Sequence, residues 1–467
     1  MSSTFSGLST ALSALYAQRH GMDTTGQNVA NANTEGYTRQ RVDMVPRGGA
    51  EVSAIHAKWD GPGVGVRVDD IKRLRDGFLE SRGREEHAMN TFQNTKMSAY
   101  NRIENVFSEP SDTAMASQLA DLWAGWGDVA NRPGDTAARE QLLQRAAVAA
   151  DGLRDGFSAL SSQWGTARVQ ADSLVTEINN AADAVAKLNE VISQAQASGM
   201  PSNEMRDQRD LRLMDLAKLA GVSVVHRENG YTDVFLGGST LVGGTTTRHI
   251  EILGGNRLED QGADPVRLAW TDNGLPASAG SGSVGANLDL LNNIVPDLAG
   301  KLDAVAVSLA TEVNNVHRAG FGLDGVNNRD MFVDITGVTG ITARTIGVGI
   351  TDPTHLAASS VAGTLDGSNA AALGNLGRLT NGPDAKYRSM VVGLGVEAQT
   401  SQRRAGIQAT ITNDMDALRF ADAGVNLDEE MTNLIGYQKA YEAAARLMTS
   451  IDEALDVLIN RTGIVGR

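Results

Sequence analysis

The chain carries many reactive side chains but none in a spacing that does recognisable chemistry. Its seven histidines are His20, His56, His87, His226, His249, His317 and His355. No two stand in the His-x-x-x-His or His-Glu-x-x-His pattern that sets two imidazoles on one helix face for zinc. The lack of cysteine removes thiolate ligands, disulfides and cysteine nucleophiles together. Gly61-Pro62-Gly63-Val64-Gly65 is glycine-rich but has no Gly-Lys-Ser/Thr ending to cradle a phosphate, so it reads as paired turns. Leu323-Asp324-Gly325-Val326-Asn327-Asn328-Arg329-Asp330 has calcium-loop residue types without the ligand spacing or the closing glutamate, and reads as a solvated loop. There is no Gly-x-Ser-x-Gly elbow. With 56 acidic residues, any choice of two as a glycosidase pair is arbitrary. The expectation is therefore a protein that is not an enzyme and needs no cofactor or metal.

The elements that could position something useful lie at the two ends. Near the C-terminus one apolar series reads Leu427, Leu434, Tyr441, Met448, Leu455, and a second reads Tyr437, Ala444, Ile451, Leu458, each every seven residues. The N-terminal series is Phe5, Leu8, Leu12, Leu15, Met22, Val29, interrupted by Arg19 and Gly26. Such spacing lays the side chains in one stripe on a helix, as in a coiled-coil seam. The same stripe is also what any amphipathic core helix shows. One terminal helix of each kind would bury the other's stripe, making the rest of the chain a long insertion between ends that meet. That layout suits a subunit of a helical assembly.

Between the ends, helical patterning runs with breaks from about Asp76 to Leu219, from Leu288 to Arg318, and from Tyr387 through Leu418. Trp123 and Trp126 share a helix face with Leu119 and Leu122 and are expected in the core rather than at a contact. Val234-Phe235-Leu236-Gly237-Gly238-Ser239-Thr240-Leu241-Val242-Gly243-Gly244 reads as strands with tight turns, and a second glycine-rich stretch from about Gly320 to Asp366 offers Ile341, Ile346 and Ile350. These two stretches are expected to pair into one β domain. The fold class is α+β, elongated and multi-domain. A terminal helical assembly domain takes 1–40 and 425–467, and a mainly helical stem takes 41–219, 288–319 and 367–424. An inserted antiparallel β domain takes 220–287 and 320–366.

Composition bounds the partners. At 467 residues two to four domains are expected, and a net charge of −15 argues against nucleic acid. No apolar run approaches 18 residues, so no membrane insertion is expected. The Leu427–Leu458 segment carries seven acids against Lys439 and Arg446, a poor match for an anionic membrane surface. Met1–Gln18 has no Lys or Arg and is not a Sec signal, so a secreted protein of this sequence needs another export route. The first 33 residues hold only Arg19, His20 and Asp23 as charged or histidine side chains, which predicts loose order until partners bury them.

The run Asn28-Val29-Ala30-Asn31-Ala32-Asn33-Thr34-Glu35-Gly36-Tyr37-Thr38-Arg39-Gln40 reads locally as helix exit and turn. It resembles the signature, here Asn28, Ala30, Asn31, Asn33, Thr34, Gly36 and Tyr37, of the flagellar axial proteins that build rod, hook and hook–filament junction. Arg41-Val42-Asp43, Ile71-Lys72-Arg73-Leu74-Arg75-Asp76, Asn105-Val106-Phe107-Ser108-Glu109-Pro110, Asn131-Arg132-Pro133, Asp207-Gln208-Arg209-Asp210-Leu211 and Asn426-Leu427-Asp428-Glu429-Glu430-Met431 continue the resemblance and narrow it toward the junction group. It covers both termini and most of the helical region. What it implies is a structural subunit at the hook–filament junction of the bacterial flagellum, serving motility. Its partners would be itself in a helical assembly, hook protein and a second junction protein. Export would use the type III apparatus, with a cytosolic chaperone on the C-terminal helix. The finished protein would be extracellular. The assembly residues would be Phe5, Leu8, Leu12, Leu15, Met22, Val29, Leu434, Tyr437, Tyr441, Met448, Ile451, Leu455 and Leu458. A hook or rod subunit is the alternative, and less so an exported carbohydrate-binding or enzymatic module in the glycine-rich middle.

Overall fold

A computed structural model describes residues 4–47, 65–337 and 340–461. The glycine-rich turns expected at 61–64 and His56 lie outside the described residues. Helix α1 (Thr4–Ala30) is followed by a hairpin, β1 (Gln40–Pro46) with β2 (Val66–Arg73), paired antiparallel from Gln40 opposite Arg73. Four helices come next: α2 (Gly77–Phe107), α3 (Met115–Asn131), α4 (Thr136–Ala197) and α5 (Asn203–Ala220). Asp76 and Asp135 start α2 and α4 by accepting hydrogen bonds from first-turn backbone N–H groups, and Gly221 ends α5 in the left-handed conformation.

The glycine-rich middle forms two small antiparallel sheets. One orders β3 (Ser223–His226), β4 (Thr232–Leu236), β5 (Ser239–Gly243) and β6 (Thr246–Thr247); the other orders β7 (Ile250–Leu253), β8 (Arg267–Trp270) and β9 (Pro276–Ala277). Helix α6 (Gly282–Asp289) runs through one wide turn at Leu290–Ile294 into α7 (Val295–Ala319). Pro296, which has no N–H, sits just beyond that turn, and Trp164 donates to the Leu291 carbonyl (2.8 Å). The pair β10 (Phe332–Asp334) and β11 (Ile346–Val348) precedes α8 (Ser368–Gly374), α9 (Pro383–Ala423) and α10 (Leu427–Asp456).

The 62-residue α4, about 93 Å long, is the spine of the stem. Its buried face runs from Ala138 to Ala195 and meets α3, α5 and α7 in one continuous core. Trp126 and Trp164 are fully buried there, and Trp123 donates to Asp384 Oδ2 (2.9 Å), so both tryptophans of the 123–126 pair belong to the core as expected.

Polar side chains along α4 and α7 peg the small sheets to this spine. Asn179 holds both the N–H and the carbonyl of Ile250 on β7, Asn189 binds Thr232 and Gly244, and Arg154 donates to the Ile346 carbonyl on β11. Asn314 on α7 closes on Phe332 of β10. The expectation that both glycine-rich stretches pair into one β domain is therefore corrected: β10 and β11 pair only with each other. Residues 154 and 179 lie about 37 Å apart along one helix. The strands pegged to them are thus too distant to share a ladder.

Candidate assembly interface

The ends of the chain meet. Helices α1 and α10 pack antiparallel, and the register is set by three facing pairs. A Cβ on Gly7 would lie 3.1 Å from Ile451 Cδ1, a Cβ on Gly21 would lie 2.6 Å from the Tyr437 ring, and Asn28 Nδ2 donates to Glu430 Oε2 (2.9 Å). Each step along α1 is matched by a step back along α10, so Ala14 falls opposite the buried Ala444. Small side chains let the two backbones approach closely, while Tyr437 and Ile451 fill the space left by glycine.

This corrects the expected seam. On α1 the buried positions are Ala11, Ala17, Gly21, Thr24, Thr25 and Asn28, not the large apolar series. Leu8, Leu15 and Met22 are half-buried at the flank, and Leu12, Tyr16 and Val29 are exposed by 40%, 59% and 36%. Phe5 lies on α1, but its side chain is outside the described atoms. On α10 the predicted stripe does face α1: Leu434, Tyr437, Met448, Ile451 and Leu455 are half-buried, with Tyr441 and Leu458 exposed at its margin. Away from that contact α10 bares Met431 and Ile435 on its far side and Leu427 and Leu447 on its two flanks. Each helix thus has one face satisfied within the chain and a second apolar face without cover from the described residues.

The root of the pair is a polar hub, and the signature residues build it. Asn28 uses its whole amide: Nδ2 donates to the Gln40 carbonyl (2.8 Å) and to Glu430, while Oδ1 accepts from Tyr37 OH (2.8 Å) and Gln40 N–H (2.9 Å). Glu430 is buried and also takes Arg39 (2.8 Å from Nε), whose other arm reaches Glu429 (2.7 Å). Burial opposes the Arg39 charge, but the bonds to Glu429 and Glu430 outweigh it and raise its pKa. Burial first, then the charges of Asp207, Glu430 and Glu204, push the Tyr37 hydroxyl up to about 12, so it stays a donor. Gly36 takes φ 78° where a Cβ would strike Leu211 at 2.5 Å, which requires glycine twice over. Asn31 and Thr34 bond each other in the turn, and Ala30, Asn33 and Thr34 are exposed.

From the hub an ionic chain enters the stem. Asp207 accepts from Thr38 N–H and Arg73, Asp210 from Arg73 and Arg75, and Glu80 from Arg75 and Arg419. The carboxylates of the candidate calcium loop are occupied otherwise, Asp324 by Arg329 and Asp330 by Arg318.

Comparison with known proteins decides the family. The chain is 31% identical to flagellar hook-associated protein 1 of Bacillus subtilis over 519 aligned residues, covering 100% of both chains. The chain belongs to the flagellar hook-associated protein 1 family. The flagellar hook-associated protein FlgK helical domain matches residues 100–332, the flagella basal body rod protein family matches 8–38, and the flagellar basal body rod FlgEFG protein C-terminal family matches 421–461. The Escherichia coli hook-associated protein 1 is 23% identical over 97% of this chain and 99% of its own. The fold is shared with the flagellar hook junction protein FlgK from Burkholderia pseudomallei, at TM-score 0.62 and 15% identity over 72% of this chain and 99% of that one. The two rod-family matches fall on the helices that pair, and the FlgK helical-domain match spans much of the stem with the small sheets pegged to it.

Two features were only partly read from the sequence. Arg39, Gln40 and Asp207 complete the hub; they lie in segments that carry the family resemblance, but nothing in the sequence told that they meet there. On α9, Val396, Ile407 and Leu418 stand eleven residues apart and exposed, with Tyr387, Met390, Leu394, Ala398 and Ala405 buried on the other side. That eleven-residue repeat was legible, but a search for sevens passes over it.

Proposed function

We propose that this protein is a structural subunit of the hook–filament junction of the bacterial flagellum, assembling through its terminal helices. The observation that carries this reading is the α1–α10 pair, closed on one side by small residues and bare on the other. Head-to-tail contacts that do not close generate a helical tube. In that tube the terminal pair (1–40 with 425–467) forms the inner wall and buries Leu12, Tyr16, Met431 and Ile435. The stem forms the middle layer and the small sheets the outer one. Hook protein and a second junction protein are the axial neighbours.

The subunit is secreted through the flagellar type III apparatus and works outside the cell. Before export, a cytosolic chaperone covers α10, whose bare Leu427, Met431, Ile435 and Leu447 would otherwise aggregate. No catalytic role is assigned to it.

Electron microscopy of cells lacking the gene, with flagellin measured in the medium, tests the reading. Hooks without filaments and shed flagellin are expected. Truncated or missing hooks would reassign the protein to hook or rod, and intact filaments would overturn the structural role.

A further inference from the structure

Where β2 meets the start of α5 and the β3–β4 turn, two adjoining concavities of about 530 Å³ and 320 Å³ share Arg73, Arg75, Gln196 and Arg206 as a common wall. Arg209 and Arg227 line the second. Carboxylates engage three of these arginines: Asp207 and Asp210 hold Arg73, Asp210 and Glu80 hold Arg75, and Asp233 holds Arg227. The other two have none. Arg209 is 5% exposed, and one terminal nitrogen serves Asn189 and the Gly230 carbonyl while Nε meets no acceptor. The Arg206 side chain has no acceptor among the described residues, and its Nε is buried. Two further acids line the concavities: Asp70, which accepts from the Ile71 N–H, and Glu228.

Burial first, then neighbouring arginines, lowers the pKa of both, Arg209 to about 10. Like charges are crowded there in a chain of net charge −15. The 18-residue α5 begins at the same place, and its N-cap Ser202 makes no side-chain bond to the first turn. Guanidinium forks and an uncapped helix start are both suited to a compact anion with several oxygens.

We propose that this pocket binds a small free oxyanion of the phosphate or sulfate type, gripped by Arg206 and the first turn of α5. Its walls belong to the hairpin that packs on α1 and to the α4–α5 corner of the stem. The bound anion therefore ties the root of the terminal helices to the stem and gives Arg206 the acceptor that no carboxylate supplies.

The test is calorimetric titration and thermal melting of the full-length monomer in sodium phosphate and sodium sulfate, against sodium chloride at matched ionic strength. One saturable site is expected, with a melting temperature that climbs with oxyanion concentration. Arg206→Gln should weaken binding at least about tenfold, the loss of one charge-assisted pair. It should not melt lower in chloride, since it removes a charge that has no partner. Arg206→Lys, which keeps the charge but not the fork, should fall between, and Arg212→Gln, on the exposed pair with Asp215, should bind normally. Binding unchanged in Arg206→Gln means an adventitious ion only and overturns the proposal. So does the absence of any saturable site. Loss of self-association in Arg206→Gln without oxyanion binding would assign the pocket to a neighbouring copy's carboxylate instead, and equally overturns it.

Discussion

The stem and the terminal helix pair are both built of packed helices and differ in how they close. In the stem, Trp126, Trp164, Leu142 and Leu153 are fully enclosed, and the polar groups of α4 are spent on the sheets beside it. In the terminal pair only one face of each helix is covered, by small residues on α1, and Tyr16 and Ile435 stay more than half exposed. A closed core makes a folded body. A half-closed pair makes a body with an appetite for neighbours, since apolar area left in water is the driving force for association.

Substitutions should separate the two regions. The largest effect is expected from Trp164→Ala: with the side chain fully buried and its N–H on Leu291, loss of about 3–5 kcal/mol should lower the denaturant midpoint of the stem. Asn28→Asp keeps the shape but removes both donors and sets a carboxylate beside Glu430. A cost of about 2–3 kcal/mol should appear as protease sensitivity of α1 and α10 with an unchanged stem transition. Gly21→Ala ought to gain nearly 1 kcal/mol from helix propensity, yet the Tyr437 ring stands in the way at 2.6 Å. The variant should be destabilising in the parent and stabilising in a Tyr437→Ala background, a change of sign that a double-mutant cycle reads directly.

Acid should weaken the stem through His317. Its ring lies fully buried, taking the Ala357 N–H on Nε2 and giving the Nδ1 proton to the Arg329 carbonyl, an arrangement that needs the neutral form. Burial lowers its pKa. The unfolded chain then binds the proton more readily, so the contribution is complete above about pH 6.5 and shrinks by at most about 1.4 kcal/mol per unit below it, until the folded pKa is passed. Urea titrations between pH 7 and 5 should show that slope, and His317→Gln should reduce it to the part left by His226, whose pKa burial also lowers, to about 4. The smallest effect on the monomer is expected from Ile435→Asp, within about 0.5 kcal/mol, although junction assembly should stop. If Ile435→Asp assembles normally, the bare face of α10 is not the contact.

Much of this was legible in the chain. The heptads of α10 marked the face that meets α1, and the helical patterning from Leu288 to Arg318 matched a real helix whose Leu291, Ile294, Leu298, Leu302, Val305 and Leu309 are buried. The partner face on α1 was not, because a search for large apolar residues cannot see a seam made of Gly7, Ala14 and Gly21. The Asn28 hub was visible as a motif but not as a mechanism, since Glu430 stands 402 residues away. The separate pairing of β10 and β11 was hidden for a similar reason: nothing in two glycine-rich stretches tells that α4 holds them far apart.

The seam between α1 and α10 repeats every seven residues, and a repeat is a ruler with identical marks. Sliding one helix by a heptad would set Gly7 against Ala444 and Gly21 against Glu430, and among the small residues only Ala14, brought against the Tyr437 ring, would resist it. Asn28 and Glu430 occur once and act as the zero of the scale. A chain that must rejoin ends so far apart therefore has one mark, at the polar root, that tells the true alignment from its copies a heptad away.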